Sequence, residues 1–199
     1  MILIRYCGGL GNQMFQYAFQ TAIQEKYKGI SVKADLSHYI LNHEHNGFEL
    51  EKFFQIRLQE AERKEIKKYS PYYMPSAEVL MMPKAIRNFV TERYQYRYAE
   101  QRKKKNPESF YRQEYHSSFE PKVFDLDRNK DWYLDGLWQN LRYLDGYEEK
   151  VRKAFTFHNE ELYTAQDREW KEQIEKRNSV GIHIRRGDFV NSKFDICSE

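Results

Sequence analysis

Two short stretches carry the residue types that could do chemistry. The first is Gly8-Gly9-Leu10-Gly11-Asn12-Gln13, which comes just after residues 2–6, a stretch opened by the apolar run Ile2-Leu3-Ile4. A glycine-rich turn between a strand and a helix puts ligands close to backbone, and the helix start offers unpaired N–H groups with partial positive charge. A phosphate or a sugar can sit at such a place. The spacing is not the dinucleotide fingerprint, because one residue separates Gly9 from Gly11 and no third glycine follows. The plain structural alternative is a tight turn with close helix–strand packing. Asn12 and Gln13 suit either use, as cap donors or as holders of sugar hydroxyls.

The second stretch is His183-Ile184-Arg185-Arg186-Gly187-Asp188, at the end of the apolar run of residues 180–184. Ligands of open α/β sheets bind at the carboxyl ends of strands. Two adjacent guanidiniums bring fixed forks of donors and charges that persist at any working pH. Pyrophosphate fits that arrangement both while bound and while departing. Asp188 can orient one arginine, and His183 can pack beneath the loop or donate a hydrogen bond. Adjacent residues on a strand point to opposite faces, so a surface ion-pair cluster with one structural arginine is the alternative.

The elements that must position these residues are legible in part. Residues 2–6 predict a buried strand. Phe15, Ala18, Phe19, Ala22 and Ile23 recur at helical spacing, and Gly29 ends that helix before a second strand over 30–36. Strand, glycine turn, helix and strand make a βαβ unit and hence a parallel sheet. Further on, 59–69 predicts a charged helix, and Pro83 opens another that reaches about Gln101. Strands are expected over 109–115 and 132–135, helices over 141–155 and 160–177, and a buried strand over 180–184. The fold class expected is α/β.

Composition narrows the classes. With 40% hydrophobic and 32% charged residues the chain is globular. A net charge of +3 is too small to argue nucleic-acid binding from charge, but it suits an anionic ligand or a membrane surface. Arg93 to Tyr98 alternates basic and aromatic residues, and Arg102 to Lys105 follows, which could stack and pair with bases. No RNA-binding motif accompanies the stretch, so tyrosines on a half-buried helix face are the better account. Cys7 and Cys197 lack CxxC partners, which argues against zinc or a disulfide framework and for a reducing compartment. No run approaches a membrane span, and no signal-peptide pattern precedes Ile2. The expected location is the cytoplasm, free or peripheral at the inner face of the membrane.

GGLGNQMFQYAF (8–19) and VGIHIRRGDF (180–189) resemble the signatures of glycosyltransferase family 11, the α-1,2-fucosyltransferases. GFELEKFF (47–54), YLDGLWQNLRYL (133–144) and FDICSE (194–199) resemble other family segments, so the resemblance runs along the whole chain in order. It implies a GT-B-like enzyme with a Rossmann-like acceptor-side domain over 1–178 and the start of a donor domain over 179–199. The implied reaction is the inverting, metal-independent transfer of fucose from GDP-fucose to a galactoside hydroxyl, with no cofactor. Arg185 would meet the charge of the departing GDP, with Arg186 and Asp188 in support and His183 shaping the loop. Gly9, Gly11, Asn12 and Gln13 would face the fucose or its phosphate. The acceptor would be a galactose-terminated glycan, free or lipid-linked. Family members continue through strands and helices that hold guanine and ribose, so the 199 residues alone are expected to be inactive. The rival expectation is a non-catalytic remnant that folds and binds glycan.

Overall fold

The computed structural model describes residues 1–41, 46–70, 72, 77–83, 85–90, 107–158, 161 and 163–182. The chain forms two compact units, Met1–His158 and Asn159–Glu199.

The first unit is built on a four-stranded, all-parallel sheet in the order β2-β1-β4-β3, with β1 Ile2–Arg5, β2 Val32–Asp35, β3 Phe110–Arg112 and β4 Trp132–Asp135. The long helix α1, Leu10–Lys26, connects β1 to β2, as the βαβ pattern requires. Side chains alternate across a strand. Ile2 and Ile4, Val32 and Ala34, and Leu134 therefore share one face, where they pack with Phe19 and Ile23 of α1. The ring system of Trp138 completes this core by stacking on Phe19 at 3.9 Å, with Tyr143 edge-on to both.

The opposite face is covered as well. Leu3 and Tyr133 are fully buried there, and Lys33 pairs with Glu65 of the Arg63–Tyr69 helix at 2.6 Å. Burial on both faces is the usual condition of a parallel sheet. The four strands end together at one edge. Read across it, their last residues are Asp35, Arg5, Asp135 and Arg112, a row of alternating charge.

Several expectations need correction. The helix expected over 141–155 is interrupted. Leu141–Leu144 is a 3-10 turn held by the Asn140 side chain, which accepts from the Arg142 N–H, and Gly146 reverses the chain at φ +87° before Glu148–Ala154. The helix expected from 59 starts at Arg63, where Glu62 and Glu65 form a reciprocal cap. The strand expected over 109–115 contracts to Phe110–Arg112.

In the second unit the helix is Ala165–Glu175, started by a Thr164–Asp167 capping box. Residues 180–182 form no strand: Val180 and Ile182 are 90% and 84% exposed. An apolar run becomes a buried strand only beside a partner strand, and none pairs with these residues among those described. The helix begun at Pro83 is seen at 85–90, with the Arg87 N–H on the Pro83 carbonyl. Its expected continuation, the basic aromatic stretch and the cations at 102–105 lie outside the described residues, as do 183–199. Among the described residues no helix is long and apolar enough to cross a membrane.

Candidate active site

The glycine turn sits at the carboxyl edge of the sheet, between β1 and α1. Gly8 has φ +79°, a conformation glycine takes without the clash a side chain would bring. A Cβ there would also stand 2.2 Å from the Asn12 amide nitrogen, so the close approach demands glycine twice over. Gly9 is the residue before the helix and carries no side chain to cap it. The helical ladder opens with the Gln13 N–H on the Gly9 carbonyl at 3.1 Å. The N–H groups of Leu10, Gly11 and Asn12 have no acceptor among the described residues. Gly11 is exposed, with nothing within 4 Å of its would-be Cβ. This end of the helix therefore presents donors and partial positive charge to solvent.

Gln13 does something other than face a ligand. It is fully buried, and its amide nitrogen donates to the Gly8 carbonyl at 3.1 Å and the Gly47 carbonyl at 2.8 Å. Its oxygen accepts from the Glu49 N–H at 2.8 Å. Both donors and the acceptor are thus committed within the fold, and Gln13 clamps the turn to the segment before the Leu50–Phe54 helix. Gln16 and Gln20 extend the pattern. The Gln16 oxygen accepts from the Cys7 N–H and its nitrogen donates to the Cys7 carbonyl, while Gln20 accepts from the Tyr6 hydroxyl. The Tyr39 hydroxyl adds a further donor to the Gly8 carbonyl at 3.1 Å.

Asn12 is different. It is half-buried, its side chain does not cap α1, and its oxygen accepts from the Gln139 amide nitrogen at 2.6 Å. Its own nitrogen has no acceptor among the described residues and lies over Gly8. Below Gly11 a groove of about 750 Å³ opens between α1 and the Glu148–Ala154 helix, lined by Met14, Phe15, Leu144 and Phe155 with Asp145 and Arg152.

On the other face of the same edge the charges close on one another. Arg5 donates to Asp135 at 3.1 Å and lies 3.3 Å from Nδ1 of His38. Arginine only donates, so that imidazole nitrogen is the acceptor. Tyr72 donates to Asp135 at 2.5 Å with its ring 4.1 Å from the Arg5 guanidinium carbon, and Tyr133 donates to Asp35 at 2.6 Å. Burial, the largest single influence, would weaken the charge on Arg5, but Asp135 together with Cys7, Tyr133 and Tyr72 opposes it and the arginine's pKa is raised. Burial pushes the Cys7 thiol up, against the opposing effect of Arg5, which leaves it protonated and a poor nucleophile. This side is a self-neutralised support, whereas donors without acceptors among the described residues remain at the start of α1.

Comparison with known proteins decides what such an edge belongs to. The family model for Glycosyl transferase family 11 matches residues 1–196. The chain belongs to glycosyl transferase family 11. An alpha-1,2-colitosyltransferase of Escherichia coli is 30% identical over 193 residues, which cover 96% of this chain and 56% of that protein. The chain thus spans little more than half the length of this relative. No solved structure matches it.

Within this family-11 chain the structure brings Gly9, Gly11 and Asn12 together at the exposed start of α1, and withdraws Gln13 into the scaffold. His183, Arg185, Arg186 and Asp188 lie outside the described residues. Residue-by-residue reading missed Gln139, because nothing local marks a glutamine after a buried tryptophan as the partner of an asparagine near the amino terminus. The one signal was its place in the segment 133–144, quoted above for its resemblance to the family.

Proposed function

We propose that this protein takes part in α-1,2 transfer of a 6-deoxyhexose from a GDP-linked donor to a galactoside hydroxyl. The observation that carries the reading is the match of the family model to residues 1–196 on a chain whose glycine turn leaves donors open at the sheet's carboxyl edge. Because the chain spans 56% of the colitosyltransferase, the reaction, donor and acceptor are proposed for the whole protein.

In this reading Gly9, Gly11 and Asn12 meet the sugar or its phosphate with backbone and amide donors. Gln13 holds the turn that presents them. Arg185 meets the negative charge that grows on the departing GDP, with Arg186 and Asp188 supporting it and His183 shaping its loop. Arginine rather than a metal supplies the positive charge that meets it, and no cofactor is used. The acceptor oxygen attacks the anomeric carbon opposite the leaving group and gives up its proton to a base or to solvent. The bond from that carbon to the phosphate oxygen breaks with its electron pair leaving on GDP, and the configuration inverts. The acceptor is a galactose-terminated glycan, free or lipid-linked, and the proposed place of work is the cytoplasm or the inner face of the membrane.

Fucose and colitose differ by one hydroxyl, since colitose is the 3-deoxy form. A site that hydrogen-bonds that hydroxyl rejects the deoxy sugar strongly, whereas a site that leaves it in water does not. The test supplies the protein with GDP-fucose and, separately, GDP-colitose, each with a β-galactoside, and reads product mass and linkage. We expect transfer to the galactose 2-hydroxyl with fucose as the preferred sugar. Preference for colitose would move the donor assignment, and transfer from neither would remove the reading.

A further inference from the structure

We propose that Gln139 is a positioning residue for Asn12, holding the carboxamide with its oxygen turned away and its N–H donors turned toward the glycine turn. The proposal rests on the reading of that turn as the sugar-phosphate side of the site.

A primary amide is two-faced: one end accepts and the other donates. Turned through half a revolution, an asparagine offers the opposite chemistry from nearly the same shape. At the start of α1 this choice matters, because the open N–H groups of Leu10, Gly11 and Asn12 are all donors. An Asn12 nitrogen turned over Gly8 adds a further donor at this helix start, suited to phosphate oxygens or hydroxyl lone pairs. An Asn12 oxygen in the same place would set an acceptor against the incoming anion. The 2.6 Å hydrogen bond from the Gln139 nitrogen to the Asn12 oxygen selects the first arrangement.

The fold holds Gln139 there through a turn built for the purpose. After β4 the chain passes Gly136, where a Cβ would fall 2.7 Å from Gln113 and 2.9 Å from Trp138. The buried Gln113 side chain accepts from the N–H groups of Leu137 and Trp138 at 3.1 and 2.9 Å and donates to the Ser118 carbonyl at 3.0 Å. Trp138 then takes φ +55°, a left-handed conformation that a bulky residue adopts only when its surroundings impose it. Its ring is locked on Phe19, and the Gln139 N–H is fixed on the His116 carbonyl at 2.9 Å. Strain that persists at a fully packed tryptophan, one residue before a side chain reaching the glycine turn, fits a requirement on where Gln139 points.

The test is side-chain amide NMR on the 199-residue chain, titrated with β-L-fucose 1-phosphate, with Asn12→Ala to assign the signal. In the unaltered protein the Asn12 amide protons shift saturably. Gln139→Glu offers only acceptors at neutral pH, so it turns the Asn12 N–H groups toward itself. We expect that variant to bind the probe about tenfold more weakly, the scale of one lost hydrogen bond to a charged group, and to lose the Asn12 shift. Gln139→Ala frees the amide and falls between, and melting temperatures check that both variants fold. Unchanged affinity and an unchanged Asn12 shift in both variants would overturn the positioning role. If Asn12→Ala abolishes binding in that case, the reading of the turn stands without it. If the probe moves no Asn12 signal in the unaltered protein, the reading of the turn and this proposal fall together.

Discussion

Gly8 and Asn12 cannot be varied independently, because the amide nitrogen of one occupies the space where a side chain on the other would go. Gly8→Ala must accept a left-handed backbone and push Asn12 aside. We expect it to cost about 1–2 kcal/mol, read by thermal or urea melting, and to displace the Asn12 amide signals. Asn12→Ala separates two roles. A residue that caps a helix costs about 0.5–2 kcal/mol when truncated, but the Asn12 side chain makes no cap bond. In the whole protein its removal should therefore lower turnover by more than tenfold, with a fall in melting temperature no larger than the loss of its one hydrogen bond to Gln139 brings. Rates and melts on the same preparation check this. A melt that falls while turnover survives would return Asn12 to a structural part.

Among the elements, the Arg63–Tyr69 helix shows how a short, charged segment becomes a wall of the sheet. Glu65 does two jobs, bonding back to the Glu62 N–H at 2.7 Å and pairing with Lys33 of β2 at 2.6 Å. The bond with Lys33, then the backbone bond at Glu62, hold the Glu65 carboxyl below its usual pKa. A carboxyl depressed in the folded state stabilises it above the unfolded value, near 4.3, and the contribution is lost as pH falls through the folded value. Glu65→Ala should cost about 1 kcal/mol at neutral pH, the scale of a lost cap. That difference should shrink as the pH drops below about 4, when the parent also loses its carboxylate. Paired melts at pH 7 and pH 3 test the sign. A difference that persists undiminished at pH 3 would mean that packing, not charge, joins this helix to β2.

For the whole molecule, the proposed reaction raises the question of where a departing GDP would find its positive charge. The net charge of +3 is spread along the chain and makes no strong field by itself. The proposed answer is local: Arg185, with Arg186 and Asp188 beside it. In the whole protein Arg185→Ala should lower turnover by about 10²–10³-fold, the usual loss for one donor to a developing charge. Arg185→Lys should recover part of it, since a point charge replaces the bidentate fork incompletely. Steady-state rates at saturating donor measure both. Retention of more than half the activity in Arg185→Ala would take the leaving-group role away from it.

The sequence by itself determined the βαβ start of the fold, the parallel sheet and the family. Its apolar residues at 15, 18, 19, 22 and 23 carry a helical period, and the glycines of the first turn are adjacent in the chain. Such signals are local, so they survive without knowledge of what packs on what. Only the tertiary structure decided which side chains of the turn remain open. Gln13 looked as available as Asn12 until the segment at Gly47 and Glu49 came to rest on it. The partner of Asn12 lies 127 residues along the chain and arrives through the pairing of β1 with β4. The charges of Asp35, Arg5, Asp135 and Arg112 meet for the same reason: the register of a parallel sheet brings strand ends to one edge, and no local period encodes that register.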